Sequence, residues 1–174
     1  MPVIRVNLRD LERLLGKPLE LRELYKGLAR LKCEIEAVSG DILEYEASHD
    51  RPDLFSCEGL ARALRPFLGL PRKDYRIVDS SRVKGYAEHI AGRPYIALAV
   101  VRDVELDNEA ITQIMQLQEK LASIYGRNRR KASIGVYDLD AIEPPIYYKA
   151  VDPDAVRYIP LNESREITLR EVLM

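Results

Sequence analysis

The hydrophobic positions change period several times along the chain. Val3-Ile4-Arg5-Val6 is a short extended run. Asn7 is an N-cap residue type, with Asp10 in the first turn after it, and Leu8, Leu11, Leu14 and Leu15 then recur on one helical face. Gly16 followed by Pro18 is the usual order of a helix stop. A second helix opens near Leu19 or Glu20 and carries Leu21, Leu24, Tyr25, Leu28 and Leu31 on one side. The period then falls to two. Cys33 to Val38 and Ile42 to Ala47 alternate on either side of Ser39-Gly40-Asp41, which predicts a hairpin. After the loop Ser48 to Asp53, Ser56 caps a third helix with Glu58 in its first turn and Leu60, Ala61, Leu64 and Leu68 along its stripe. Pro66 should kink that helix or begin its end.

Beyond the connection Leu70 to Asp74 the texture differs. Strands are expected at Tyr75–Val78, Tyr95–Val104, Ala132–Tyr137 and Ile146–Val151, while Asp79 to Gly92 is polar and ambiguous. Asp107 or Asn108 caps a long helix whose core face reads as Ile111, Ile114, Met115, Leu121, Ala122 and Tyr125, with Gly126 as its stop. Thr168 begins a short helical turn close to Met174. A helix that short is marginal alone, so the chain is expected to be part of something longer. The fold class is α+β. Residues 1–70 form a small helical domain with a β-hairpin, and residues 75–174 form a mixed unit.

Composition narrows the function classes. The chain of 174 residues is 47% hydrophobic and 32% charged, which is globular in character. Lys plus Arg is 27 and Asp plus Glu is 28, for a net charge of -1. Bulk charge therefore announces no nucleic-acid partner, and only a local patch could attract one. The longest apolar run, Ile96 to Val101, is strand-sized and far below the roughly 18 residues of a membrane span. Met1-Pro2-Val3-Ile4-Arg5 lacks the apolar core of a signal peptide. Cys33 and Cys57 lack the paired spacing of a zinc site and make no disulfide framework, so they read as reduced, mostly buried thiols in a cytoplasmic protein. With only His49 and His89, a His-centred triad is disfavoured.

The densest local charge is Arg127-Asn128-Arg129-Arg130-Lys131. It either offsets the negative end of the long helix from a solvated face, or it contacts phosphates through Arg127, Arg129, Arg130 and Lys131. Asp138 and Asp140 would share one face of a strand. Such a pair can bind a metal or exchange protons, but it more simply ends a strand and starts a turn. His49 beside Asp50 reads as surface loop. No Gly-rich phosphate loop or dinucleotide fingerprint is present. These residues support no catalytic assignment and no metal site.

One stretch is more specific. His49-Asp50-Arg51-Pro52-Asp53-Leu54-Phe55-Ser56-Cys57-Glu58-Gly59-Leu60-Ala61-Arg62-Ala63-Leu64 resembles the N-R-P-D…G-hydrophobic-A-R-x-L segment of the phenylalanyl-tRNA synthetase β subunit, with His49-Asp50 in place of the commoner T/S-N pair. Arg51, Pro52, Asp53, Gly59 and Arg62 carry the motif in a structural role. Leu117-Gln118-Glu119-Lys120-Leu121 and, after the basic run, Ala132 to Asp140 resemble a second stretch of the archaeal and eukaryotic β subunits, and Tyr158-Ile159-Pro160-Leu161 resembles the family's following F-V-P-L.

The resemblance implies a cytoplasmic (αβ)2 heterotetramer that joins phenylalanine to tRNA(Phe) using ATP and magnesium. Its α subunit performs the charging. Its β subunit supplies architecture, tRNA contacts and a module that hydrolyses mischarged Tyr-tRNA(Phe). Hydrophobic pockets reject an added hydroxyl by only about 100-fold, which makes such editing necessary in outline. The bacterial insert between the hairpin strands is absent, because Val38 and Ile42 are separated only by Ser39-Gly40-Asp41; this implies the archaeal or eukaryotic type. Residues 75–174 are then the first part of an incomplete editing module. The catalytic and magnesium-associated residues of the family lie later in its chain, so none is assigned here, no cofactor is expected in this part, and it should be inactive alone. The rival is a stand-alone nucleic-acid-binding or interaction module derived from a truncated β subunit. The net charge and the acidic Glu34, Glu36, Glu44 and Glu46 of the hairpin count against nucleic-acid binding.

Overall fold

The computed structural model describes residues 1–72, 76–77 and 83–173. Two compact units emerge. One joins Met1–Asp79 to Val101–Asp138, and the other joins Ser80–Val100 to Leu139–Met174.

In the first unit, β1 (Val3–Asn7) runs into α1 (Leu8–Leu15). Asn7 caps α1 by accepting from the Arg9 amide at 2.9 Å, and Gly16, at a left-handed φ of 79°, ends it. Helix α2 (Leu21–Arg30) opens with a capping box between Glu20 and Glu23. Strands β2 (Glu34–Ser39) and β3 (Ile42–Glu46) form the expected hairpin. Strand β1 adds to it antiparallel, giving the sheet order β1-β3-β2. Ile4 and Val6 of β1 and Leu43 and Tyr45 of β3 alternate inward and are fully buried. They share one core with Leu11 and Leu15 of α1, Leu24 and Leu28 of α2, and Leu60 and Leu64 of α3 (Cys57–Leu64). Each such side chain contributes about 1.5–3 kcal/mol of burial, which is what holds short helices in place. As Pro66 foretold, α3 stops at Leu64 and continues as a 3-10 turn, Arg65–Leu68.

Helix α4 (Asn108–Ile124), capped by Asp107, completes this unit. Residues 101–138 thus pack with residues 1–79, whereas the sequence reading places everything after residue 75 in one module. The reason is a strand edge. β1 is an outer strand, and the carboxamide of Gln116 meets both backbone groups of Arg5: the Arg5 amide donates to Oε1 at 2.9 Å, and Nε2 donates to the Arg5 carbonyl at 3.0 Å. Gln113 also donates to that carbonyl at 3.2 Å and accepts from the Cys57 amide at 3.0 Å. These demands set the rotation of α4. Gln113 is only 2% exposed and Ala122 3%, while the expected core residues Ile111, Met115 and Tyr125 are 44%, 61% and 47% exposed. Leu117, Leu121 and Ile124 supply the apolar contact instead.

The second unit is built from small pieces. Strand β4 (Gly85–Ala87) lies parallel to β5 (Ile146–Tyr148), with Tyr86 and Tyr147 stacked at 5.6 Å. Strand β6 (Arg157–Tyr158) pairs antiparallel with β7 (Ile167–Thr168), which leads into α5 (Leu169–Val172), capped by Thr168 and Glu171 as the sequence predicts. Strand β4 lies in the stretch whose polar composition gave no strand signal.

Two expected strands do not form. Residues 95–104 and 132–137 pair with no strand among the described residues, and Ile96, Leu98, Val101, Val104, Ile134 and Val136 are exposed. Alternation marks a strand only where a neighbour supplies the ladder. Tyr75 and Val78, the ends of another expected strand, lie outside the described residues. Among the described residues, no helix is long and apolar enough to cross a membrane.

Candidate functional site

The corner from Ser48 to Leu64 is the most heavily determined part of the chain. Pro52 opens a single 3-10 turn, Pro52–Leu54, and its fixed φ suits that first position. Leu54 and Phe55 then plunge into the core, where both are fully buried. The Tyr45 hydroxyl donates to the Leu54 carbonyl at 2.7 Å and ties the sheet to the turn. Burial holds that phenol well above its ordinary range, so it stays a donor. Ser56 accepts from the Gly59 amide at 3.2 Å as the N-cap of α3. At Gly59 a Cβ would lie 1.6 Å from the Asp53 carbonyl oxygen, so only glycine lets the turn close on the helix.

Arg51 and Asp53 form a forked pair, Nε to Oδ1 at 2.9 Å and Nη2 to Oδ2 at 2.8 Å. The guanidinium holds the Asp53 carboxyl below the usual carboxylate range. Arg62 projects from α3 into solvent. Arg51, Asp53 and Arg62 line one open cavity together with Ala63, Pro66 and Arg72. The motif residues are thus brought together: Pro52 and Gly59 shape the corner, and the charged three face its outer side.

The basic run follows α4 in a tight turn. Arg127, Asn128 and Arg129 all take positive φ (49°, 54° and 64°), and the amides of Asn128 and Arg129 return to the carbonyls of Ser123 and Ala122. Buried Gly126 makes this possible, because a Cβ there would sit 2.2 Å from the Ala132 carbonyl oxygen. Arg127, Arg129, Arg130 and Lys131 are all exposed. Arg129 is engaged by Glu119 on the helix surface. The Tyr125 hydroxyl donates to the His49 carbonyl, which tethers the turn to the loop that carries Arg51.

The remaining candidates have plain settings. Asp138 and Asp140 are exposed, and Asp140 sits in a 3-10 turn, Leu139–Ala141, rather than on a strand. His49 and Asp50 lie in loop, with Asp50 accepting from Ser48. Cys33 and Cys57 are buried free thiols. Burial pushes Cys33 up to about 11, and burial followed by the Asp10 carboxylate pushes Cys57 up as well, so neither is a ready nucleophile. Among the described residues no three His, Cys, Asp or Glu side chains gather where they could hold a metal ion.

Three residues that organise the site escaped the sequence reading. Gln113 and Gln116 carry polar side chains that hydrophobic periodicity discounts. Arg65 is 7% exposed and sits among apolar neighbours, yet its guanidinium is occupied by the carbonyls of Pro71 (2.7 Å), Leu14 and Leu15 (3.2 Å each). The last two are orphan carbonyls at the end of α1, the natural partners of a cation.

Comparison with known proteins gives this geometry a family. The chain is 52% identical over 177 residues to the phenylalanine–tRNA ligase β subunit of Thermofilum pendens, covering 99% of this chain and 31% of that protein. It is 49% identical to the corresponding subunit of Pyrobaculum aerophilum and 41% to that of Methanocaldococcus jannaschii, again over 99% of its length. Among solved structures, an N-terminal fragment of the phenylalanyl-tRNA synthetase β subunit from Pyrococcus horikoshii superposes with a TM-score of 0.88 at 37% identity, over 99% of this chain and 52% of that one. The chain resembles the N-terminal part of an archaeal phenylalanyl-tRNA synthetase β subunit. No family model matches it. It spans about a third of the length of the curated β subunits it matches. The synthetase motifs quoted above therefore fall within one continuous stretch of similarity, and the mixed helix-and-sheet architecture is that of the synthetase fragment.

Proposed function

We propose that this chain is the N-terminal part of the β subunit of a phenylalanine–tRNA ligase. Its partners are an α subunit, in an (αβ)2 assembly in the cytoplasm, and tRNA(Phe). The whole enzyme charges that tRNA with phenylalanine at the expense of ATP, with magnesium, and hydrolyses mistakenly formed Tyr-tRNA(Phe). The observation that carries this reading is similarity to such β subunits over 99% of the chain. The docked corner at Arg51 to Leu64 supports it, because the resembling motif is the part that the structure determines most tightly.

Within that enzyme, residues 1–70 act as architecture and residues 75–174 begin the editing module. The described residues do not fit a magnesium site, so neither ATP nor magnesium is assigned to any of them, and the part alone is inactive. Arg127, Arg129, Arg130 and Lys131 steer the tRNA. Their turn is fixed by its own backbone, so four cations are held together on one exposed loop at little entropic cost. They attract phosphates without reading bases.

The test is filter binding of tRNA(Phe) to the whole enzyme across a range of salt. Replacing the four cations with Ala should weaken binding and flatten the plot of log K against log salt, by about 0.7–0.9 for each phosphate that is no longer neutralised. An unchanged slope removes the turn from tRNA recognition.

A further inference from the structure

The outer side of the corner offers a second charged feature, separate from the basic turn. Arg51, Arg62 and Arg72, with Asp53, Ala63 and Pro66, line an open cavity of about 380 Å³. Three guanidinium groups face a single carboxylate there, so the lining is formally positive by two charges. We propose that this cavity is an anion site that takes a phosphate group.

The construction of its walls supports this. Asp53 grips Arg51 through Nε and Nη2 and so fixes the plane of that guanidinium. Of the five N–H donors of an arginine, two are used and three are left for a ligand. The turn that carries this pair cannot drift, because Gly59 abuts the Asp53 carbonyl. Arg62 comes from α3, between the buried Ala61 and Leu64. The third wall is held from within: buried Arg65 donates through Nε to the Pro71 carbonyl, one residue before Arg72, while its other end is anchored on the final carbonyls of α1.

All three cations are arginines, whose planar forks match two oxygens of one oxyanion, whereas lysines would only add charge. The size falls within the range of small-ligand sites, roughly 300–1,000 Å³. The lining offers almost no apolar surface for a base or ring, so recognition rests on the phosphate. This site does not depend on the synthetase reading, since its first test uses inorganic phosphate alone.

That test is NMR titration of the 174-residue chain with inorganic phosphate, following the arginine Nε–Hε signals at fixed ionic strength against chloride and acetate controls. Saturable shifts of Arg51 and Arg62 with phosphate are expected. Arg62→Gln, at an exposed helix position, should weaken the apparent affinity about tenfold, as befits the loss of a charge-assisted hydrogen bond. Arg51→Lys keeps the charge and should also weaken it, because the fork is lost. Equal shifts with chloride, equal affinity for acetate, or an Arg62→Gln chain that binds phosphate unchanged would each overturn the site. Two further arms identify the source of the phosphate. Displacement of bound phosphate by a tRNA transcript assigns it to an RNA backbone, and displacement by a nucleoside monophosphate but not by tRNA assigns it to a free phosphate compound; either result upholds the site.

Discussion

The two units of this protein solve the burial problem to very different degrees. The first contains a three-stranded sheet, four helices and, among the described residues, every buried apolar side chain except one. The exception, Ile167, is in the second unit, next to the buried Thr168. There the strands are two or three residues long and large side chains such as Tyr147, Ile159 and Leu161 face solvent. Conformational entropy costs about 1–2 kcal/mol per ordered residue in both units, but only the first offsets it with a continuous core. Strands can be locally well chosen and still depend on apolar contacts that their own unit does not supply.

The largest effect should come from the corner of the first unit. Gly59→Ala must push a methyl group into the Asp53 carbonyl, and a loss of at least about 3 kcal/mol is expected in urea denaturation. A cost below about 1 kcal/mol would mean that the corner yields easily and that the contrast between the units is overstated. Next comes Gln113→Leu. It leaves the Cys57 amide buried without its acceptor, and the unfolding free energy should fall by about 1–3 kcal/mol.

A smaller effect concerns acid. Asp53 has a depressed pKa in the fold, so the stability it contributes is fully present above its ordinary value of 3.8 and is lost as pH falls through the lower, folded value. Both members of its pair are more than a third exposed, so solvent screening keeps the effect under about 1 kcal/mol. The difference in stability between the unaltered chain and Asp53→Asn should therefore shrink as pH is lowered below 3.8. The smallest effect sharpens the comparison directly. Ile167→Ala should leave the unfolding midpoint of the first unit unchanged, while hydrogen exchange at the amides of β6 and β7 accelerates. A fall in both together would show one cooperative body.

Much of the first unit was legible because its signals are local. Asn7, Gly16, Ser56 and Asp107 each announce a helix end through a side chain or a backbone preference that acts within a few residues, as Thr168 does in the second unit. What escaped depends on distant partners. The pairing of β1 with β3 joins residues far apart in the chain, and the rotation of α4 follows from hydrogen-bond demands at Arg5 and Cys57 that no pattern within the helix reveals. The expected strands at 95–104 and 132–137 fail for the same reason in reverse, since their alternation is present and no partner strand meets them among the described residues. At the candidate site, the motif residues were visible as a motif. Their convergence on one cavity was not, because Arg72 arrives by a path that the buried Arg65 fixes.

The clasp of Gln116 on Arg5 has a consequence for handling the protein. An outer strand with bare amides and carbonyls is a template on which other molecules can stack. Here one glutamine occupies that template with an imitation of a neighbouring strand. A version trimmed before residue 107 would keep most of its interior yet lose this cover, and it should aggregate edge to edge, so the helix acts as a guard of solubility as much as a pillar of the fold.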